Sequence, residues 1–98
     1  MSRKEAYQEK MEAQLEKWRA EIEKFKAQAK ETKADVKIEY HQQLDELTDK
    51  QKDAEQKLRA LNRAGTDSWK ELKIGVDNAV TTLQQSFDRI RQKMQTVS

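Results

Sequence analysis

Cysteine and proline are absent from this chain of 98 residues, and glycine occurs only twice. Without cysteine there is no disulfide framework, no thiolate metal site and no cysteine nucleophile. Without proline, and with so little glycine, a turn-rich all-β architecture is excluded. Long apolar runs are missing as well: the longest unbroken run is two residues. That forms neither a membrane-spanning helix nor the apolar centre of a secretion signal, so a cytoplasmic protein is expected. An excess of one charge sign is also lacking, since 20 basic and 18 acidic side chains leave a formal charge of +2. No stretch is basic without interleaved Glu or Asp, and no nucleic-acid partner is expected.

What is present is helix-forming and periodic. Charged residues make up 39% of the chain, and the composition is dominated by Ala, Glu, Lys, Gln and Leu, all strong helix formers. Met11, Leu15, Trp18, Ile22, Phe25 and Ala29 step by alternating fours and threes, as do Leu44, Leu47, Gln51, Ala54, Leu58 and Leu61. A stripe averaging 3.5 residues per turn is a coiled-coil seam. Val36 and Tyr40 bridge the two stretches with a phase slip of one residue, which relaxes a supercoil without breaking the helix. No glycine or proline interrupts residues 1–62. The simple reading is one helix over about 4–63, roughly 90 Å long at about 1.5 Å per residue.

Punctuation comes once, at 64–68. Gly65 suits a left-handed position past a helix end, and Ser68 with Glu71 reads as a capping box. A second helix is expected over about 69–96, with the stripe Leu72, Val76, Val80, Leu83, Phe87, Ile90, Met94 and Val97. Gly75 within it is either a tolerated glycine or a sign of close helix approach. The two stripes match in antiparallel register. The position numbers of Leu58/Val76, Ala54/Val80, Gln51/Leu83, Leu47/Phe87, Leu44/Ile90 and Tyr40/Met94 each add to 134, and those of Leu61/Leu72 and Val36/Val97 to 133. The expected fold class is therefore all-α: a long antiparallel helical hairpin, or coiled coil, whose first helix is about twice the second. Its core runs from Tyr40 to Leu61 and from Leu72 to Met94. Gln51 is a polar seam residue that fixes register at some cost in stability.

That hairpin leaves Met11, Leu15, Trp18, Ile22 and Phe25 uncovered. Five such side chains are worth roughly 8–15 kcal/mol if buried, at about 1.5–3 kcal/mol each. One solution is an arm that binds another copy. Its stripe is self-complementary about Trp18, as a two-fold interface requires, so a homodimer or larger homo-oligomer is expected. The other is a bend near 32–35 that folds the arm back, giving a three-helix bundle. There Ile22/Leu47, Trp18/Gln51 and Phe25/Leu44 share a sum of 69. Nothing between Lys30 and Val36 resembles a turn, and the oligomer is the preferred expectation.

Chemistry-bearing motifs do not assemble. Glu46/Lys50, Asp53/Lys57 and Glu55/Arg59 lie at i,i+4, and Glu16/Arg19, Glu21/Lys24 and Glu23/Lys26 at i,i+3. These read as solvated ion pairs on helix faces. A general acid–base pair needs a pocket that shifts pKa values, and a two-helix seam offers none. His41 is the only histidine and lacks the Glu three residues earlier that di-iron bundles use, since position 38 is Ile. Ser86, Thr81 and Thr82 have no adjacent base. Neither an enzyme nor a cofactor or metal site is expected. A narrow apolar face with both charge signs opposite is not the usual interfacial helix, though a freed arm would offer a lipid surface five large apolar groups.

The stretch Lys33-Ala34-Asp35-Val36-Lys37-Ile38-Glu39-Tyr40, then a glycine turn, then Trp69-Lys70-Glu71-Leu72-Lys73-Ile74-Gly75-Val76 resembles a group of small bacterial helical proteins of about 100 residues. These are labelled coiled-coil proteins, sometimes stress-response proteins. The resemblance covers about 70 residues and implies a bacterial, cytoplasmic, stress-related setting with no reaction or ligand to transfer. A looser likeness to apolipoprotein-type amphipathic repeats lacks their prolines. The functional expectation is a non-enzymatic, self-associating coiled-coil scaffold or adaptor with an unidentified protein partner, and reversible lipid-surface binding through the arm is the alternative.

Overall fold

A computed structural model describes residues 2–65 and 67–97, with the side chains at 35 and 94–97 outside that description. Among the described residues the chain forms three helices of nearly equal length: α1 (Arg3–Lys30), α2 (Ala34–Arg63) and α3 (Trp69–Val97). They run up, down and up in a bundle of 51 × 20 × 17 Å. Helix α1 starts where Ser2 accepts a hydrogen bond from the Glu5 backbone N–H at 3.2 Å. Serine followed three residues later by glutamate is the pattern that supplies such a cap.

The expected unbroken helix over 4–63 is corrected: the chain reverses at Glu31–Lys33. The last N–H groups of this corner turn back on α1, with Glu31 N donating to Gln28 O at 3.1 Å and Thr32 N to Ala29 O at 3.3 Å. Thr32 Oγ1 donates to Gln28 O at 3.0 Å. Lys33 then adopts φ −59°, ψ 147° and starts α2 with no side-chain cap. The corner gives up about three helical hydrogen bonds, each worth roughly 0.5–1.5 kcal/mol net, and a cap worth about 1 kcal/mol. In return Met11, Leu15, Trp18, Ile22, Phe25 and Ala29 all become buried. That burial is several-fold larger and carries no association entropy. The three-helix alternative is what the chain forms, and the hairpin with a first helix twice the second is not.

The five residues expected to join two copies thus lie in this chain's own core. Trp18 is 2% exposed and stacks on Phe87 of α3, with ring centroids 5.3 Å apart. Phe25 meets the same ring at 5.9 Å. One phenylalanine of α3 therefore sits between two aromatic side chains of α1. The other expected core residues divide. Tyr40, Leu44, Leu47, Gln51, Ala54, Leu58, Leu61, Val76, Leu83, Phe87 and Ile90 are buried, and Val80 is partly so. Met94 lies outside the described side chains.

Leu72 is corrected: it is 36% exposed. Trp69, packed against the core with Tyr7 of α1 at 6.2 Å, closes this end of the bundle instead. Ala79 and Ser86 are buried although the hairpin register left them out. Both lie on the flank of α3 that faces Lys50 of α2, beside the seam stripe. The glycines behave more plainly than expected. Gly65 has no left-handed backbone, and a Cβ at Gly75 would meet nothing within 4 Å, so no close helix approach explains it.

Replacing Trp18 with alanine should lower the unfolding free energy by about 3–5 kcal/mol, as for other buried large aromatics. Urea titration followed by circular dichroism measures it. A loss below about 1 kcal/mol would show that the α1–α3 aromatic layer does not hold the bundle.

Candidate functional site

Where ionisable groups converge, they bridge helices. Residues flanking the seam stripes project towards the neighbouring helix, as the e and g positions of a coiled coil do. Arg19, after Trp18, pairs with Glu55, after Ala54. Arg91, after Ile90, pairs with Glu21 at 2.5 Å, and its guanidinium lies 5.7 Å from the Phe87 ring centroid. Lys93 pairs with Glu39. Lys50 Nζ donates to Ser86 Oγ at 2.9 Å, and that hydroxyl donates to Thr82 O at 3.1 Å.

Several expected local pairs are thereby re-partnered. Arg19 reaches Glu55 rather than Glu16, Glu21 takes Arg91 rather than Lys24, and Lys50 turns to Ser86 rather than Glu46. Asp53/Lys57 at 3.0 Å and Glu23/Lys26 at 3.5 Å remain within one helix. His41 is exposed.

The densest cluster lies at the Trp69 end. Tyr7, one step of four before Met11, extends the α1 stripe and is half-buried. Its hydroxyl donates to Asp77 Oδ1 at 2.5 Å. Lys73 Nζ donates to Asp77 Oδ2 at 2.7 Å and sits 5.0 Å from the Tyr7 ring centroid, a cation–π distance. Burial, then the hydrogen bond and charge of Asp77, push the Tyr7 hydroxyl well above its ordinary pKa. Burial alone would raise Asp77, but hydrogen bonds from Lys73 and Tyr7 and the charges of Lys73 and Lys10 hold its carboxyl below the usual value. The cluster therefore holds a protonated phenol against an ionised carboxylate. Neither pKa moves towards neutrality, where proton transfer is most effective, and what the cluster does is tie α1 to α3.

Between α1 and α2 a shallow groove of about 280 Å³ is floored by Leu15 and Leu58. It falls below the usual 300–1,000 Å³ of small-molecule sites. Gln51, 4% exposed, lies at the edge of this region. Its Nε2 donates to the Leu15 carbonyl at 2.8 Å and to Glu55 Oε1 at 3.2 Å. Its Oε1 has no hydrogen-bond partner among the described residues. The polar seam residue thus contacts α1, where the hairpin register had it facing α3. An acceptor left in this state costs about 1–3 kcal/mol. Among the described residues no group of three or more His, Cys, Asp or Glu is placed to hold a metal, and no helix is long and apolar enough to cross a membrane.

No protein-family model, curated protein or solved structure matches the chain. The likeness to small bacterial helical proteins rests on the quoted residues alone.

The clamp has a signed pH dependence. Asp77, with its folded pKa depressed, contributes stability above its unfolded pKa that is lost as pH falls through the folded value. Tyr7, with its folded pKa raised, contributes stability that is full below its unfolded pKa of about 10 and is lost as pH rises beyond it. Tyr40, raised chiefly by burial, acts in the same alkaline window. Tyr7→Phe should therefore be less stable than wild type at pH 7, and the difference should shrink above pH ~10. Asp77→Asn should flatten the acid limb below pH ~4. Chemical denaturation across pH 2–11 reads both, and parallel curves for Tyr7→Phe and wild type above pH ~10 would contradict the assignment.

Proposed function

We propose that the protein is a non-enzymatic helical scaffold that works by associating with protein surfaces, copies of itself included. The observation that carries this reading is the use made of its charges. Arg19, Glu21, Glu39, Glu55, Asp77, Arg91 and Lys93 engage partners on neighbouring helices, and Tyr7 and Asp77 are held away from neutral pKa values. A bundle braced in this way is a short rod with a mixed-charge surface, suited to spacing and docking. The cytoplasmic, bacterial and stress-related setting belongs to the same reading and rests on the resemblance of the stretches around Val36 and Trp69.

The competing lipid-surface reading requires α1 to leave the core and expose Trp18 and Phe25. Co-sedimentation with anionic vesicles separates the two, with Trp fluorescence recorded alongside. The scaffold reading expects most of the protein to stay in the supernatant with an unshifted emission spectrum. Uptake of most of the chain by vesicles, with loss of the α1–α3 packing, would replace it with the lipid reading.

A further inference from the structure

The corner between α1 and α2 contains nothing that forbids a helix. Glu31, Thr32 and Lys33 include neither glycine nor proline, and no described residue has a left-handed backbone. The start of α2 carries no side-chain cap. Val36 continues the α1 stripe one heptad after Ala29, and the one-residue phase slip falls beyond the corner, between Val36 and Leu44. Straightening these three residues would merge α1 and α2 into one helix with a single continuous stripe.

We infer that the chain forms a domain-swapped dimer in which residues 31–33 become helical and α1 of each copy packs into the core of the other. This rests on the self-association part of the proposed function and names its geometry. Contacts of α1 with its neighbours are reproduced in such a dimer, between chains rather than within one: Trp18 on Phe87, Arg19 with Glu55, Tyr7 with Asp77. The difference between the two states is confined to the corner, so a weakly specified corner leaves them close in free energy. Exchange of an identical element is a low-cost route to a two-fold dimer.

The register fixes where the two-fold axis falls. Residues facing each other across α1 and α2, such as Leu15/Gln51, Glu12/Asn62 and Lys4/Ala64, have position numbers that add to between 66 and 74. Two copies of the merged helix in that antiparallel register cross at residues 33–37, where the corner meets the first turn of α2.

The test follows the distance within one chain. Glu12 and Asn62 are exposed and touch across α1 and α2, with Asn62 Nδ2 donating to Glu12 Oε1 at 3.3 Å. The chain has no cysteine, so Glu12→Cys with Asn62→Cys can carry a donor and an acceptor dye. Doubly labelled chain is equilibrated with a twentyfold excess of unlabelled protein, and the monomer and dimer fractions are separated by size. In the monomer the dyes stay together. In the swapped dimer the same two positions lie on one straight helix, about 75 Å apart at about 1.5 Å per residue, and energy transfer within the chain is lost. Thr32→Gly with Lys33→Gly should lower the dimer association constant at least tenfold, and Thr32→Ala with Lys33→Ala should raise it at least tenfold.

A dimer that keeps its intrachain energy transfer, or that ignores the corner variants, overturns the swap while leaving self-association standing. A chain that stays monomeric to about 1 mM, with the alanine corner as well as the native one, overturns both.

Discussion

The stripe of α1 has to be covered, and most of the architecture follows from that requirement. Met11, Leu15, Trp18, Ile22, Phe25 and Ala29 are too many apolar side chains to leave in water. The hairpin of α2 and α3 is the surface at hand. Phe87 receives Trp18 and Phe25 together, so the widest separation in the bundle is filled by its largest rings. With α1 docked, α3 turns one flank, with Asp77 and Arg91, to α1 and the other, with Ala79 and Ser86, to α2. The charges beside the stripes then find partners across helices, and the corner at Glu31–Lys33 accepts whatever backbone geometry the docking imposes.

Packing decides the fold and the ion pairs follow it. Most of the bridges are well exposed on at least one side, as for Arg19 with Glu55 and Lys93 with Glu39, and surface pairs of this kind contribute about 0–1 kcal/mol. The Tyr7–Asp77–Lys73 cluster is about as exposed, but it combines a hydrogen bond, an ion pair and a cation–π contact in one place. Gln51 acts in the opposite sense. It loses stability at Oε1 but ties Leu15 of α1 to one level of α2. Its Nε2 also reaches Glu55 of its own helix, so the contact with the Leu15 carbonyl is the part of this amide that depends on where α1 lies.

The helical class was readable from the stripes, and the turn at 64–68 separated α3 from what precedes it. The stripes alone ran α1 and α2 together, and the hairpin register set Gln51 against Leu83, whereas its amide reaches Leu15 of α1. The bend was not readable for a physical reason. A corner is usually announced by glycine, proline or a capping side chain, and Glu31-Thr32-Lys33 offers none of these. Local propensity favoured a straight helix there, and long-range burial of Trp18 and its neighbours outweighed it. Leu72 was misplaced for a related reason, since the hairpin register could not know that Tyr7 and Trp69 would close that end. Most of the inter-helix pairs were hidden because a carboxylate such as Glu21 has a cation three residues away in sequence and a better one, Arg91, in space. Position beside the seam, rather than i,i+4 spacing, was the signal that would have found them.

A corner without sequence markers has a further meaning for how this chain encodes its topology. A bend set by glycine or proline belongs to the local sequence and survives when the partner surface is removed. The bend at Glu31–Lys33 has no such support: its backbone lies in ordinary regions, and its one side-chain hydrogen bond runs from Thr32 back to Gln28. It exists because α1 docks, so the docking surface determines the connection rather than the reverse. The same surface is present on every copy of the chain, and α1 is equally complementary to all of them. What favours its own copy is effective concentration, which for a three-residue connection is high, set against the helical hydrogen bonds that the bend gives up. Bundle and open helix are thus two ways of satisfying one interface, and the choice between them lies in three residues that make little contact with the core.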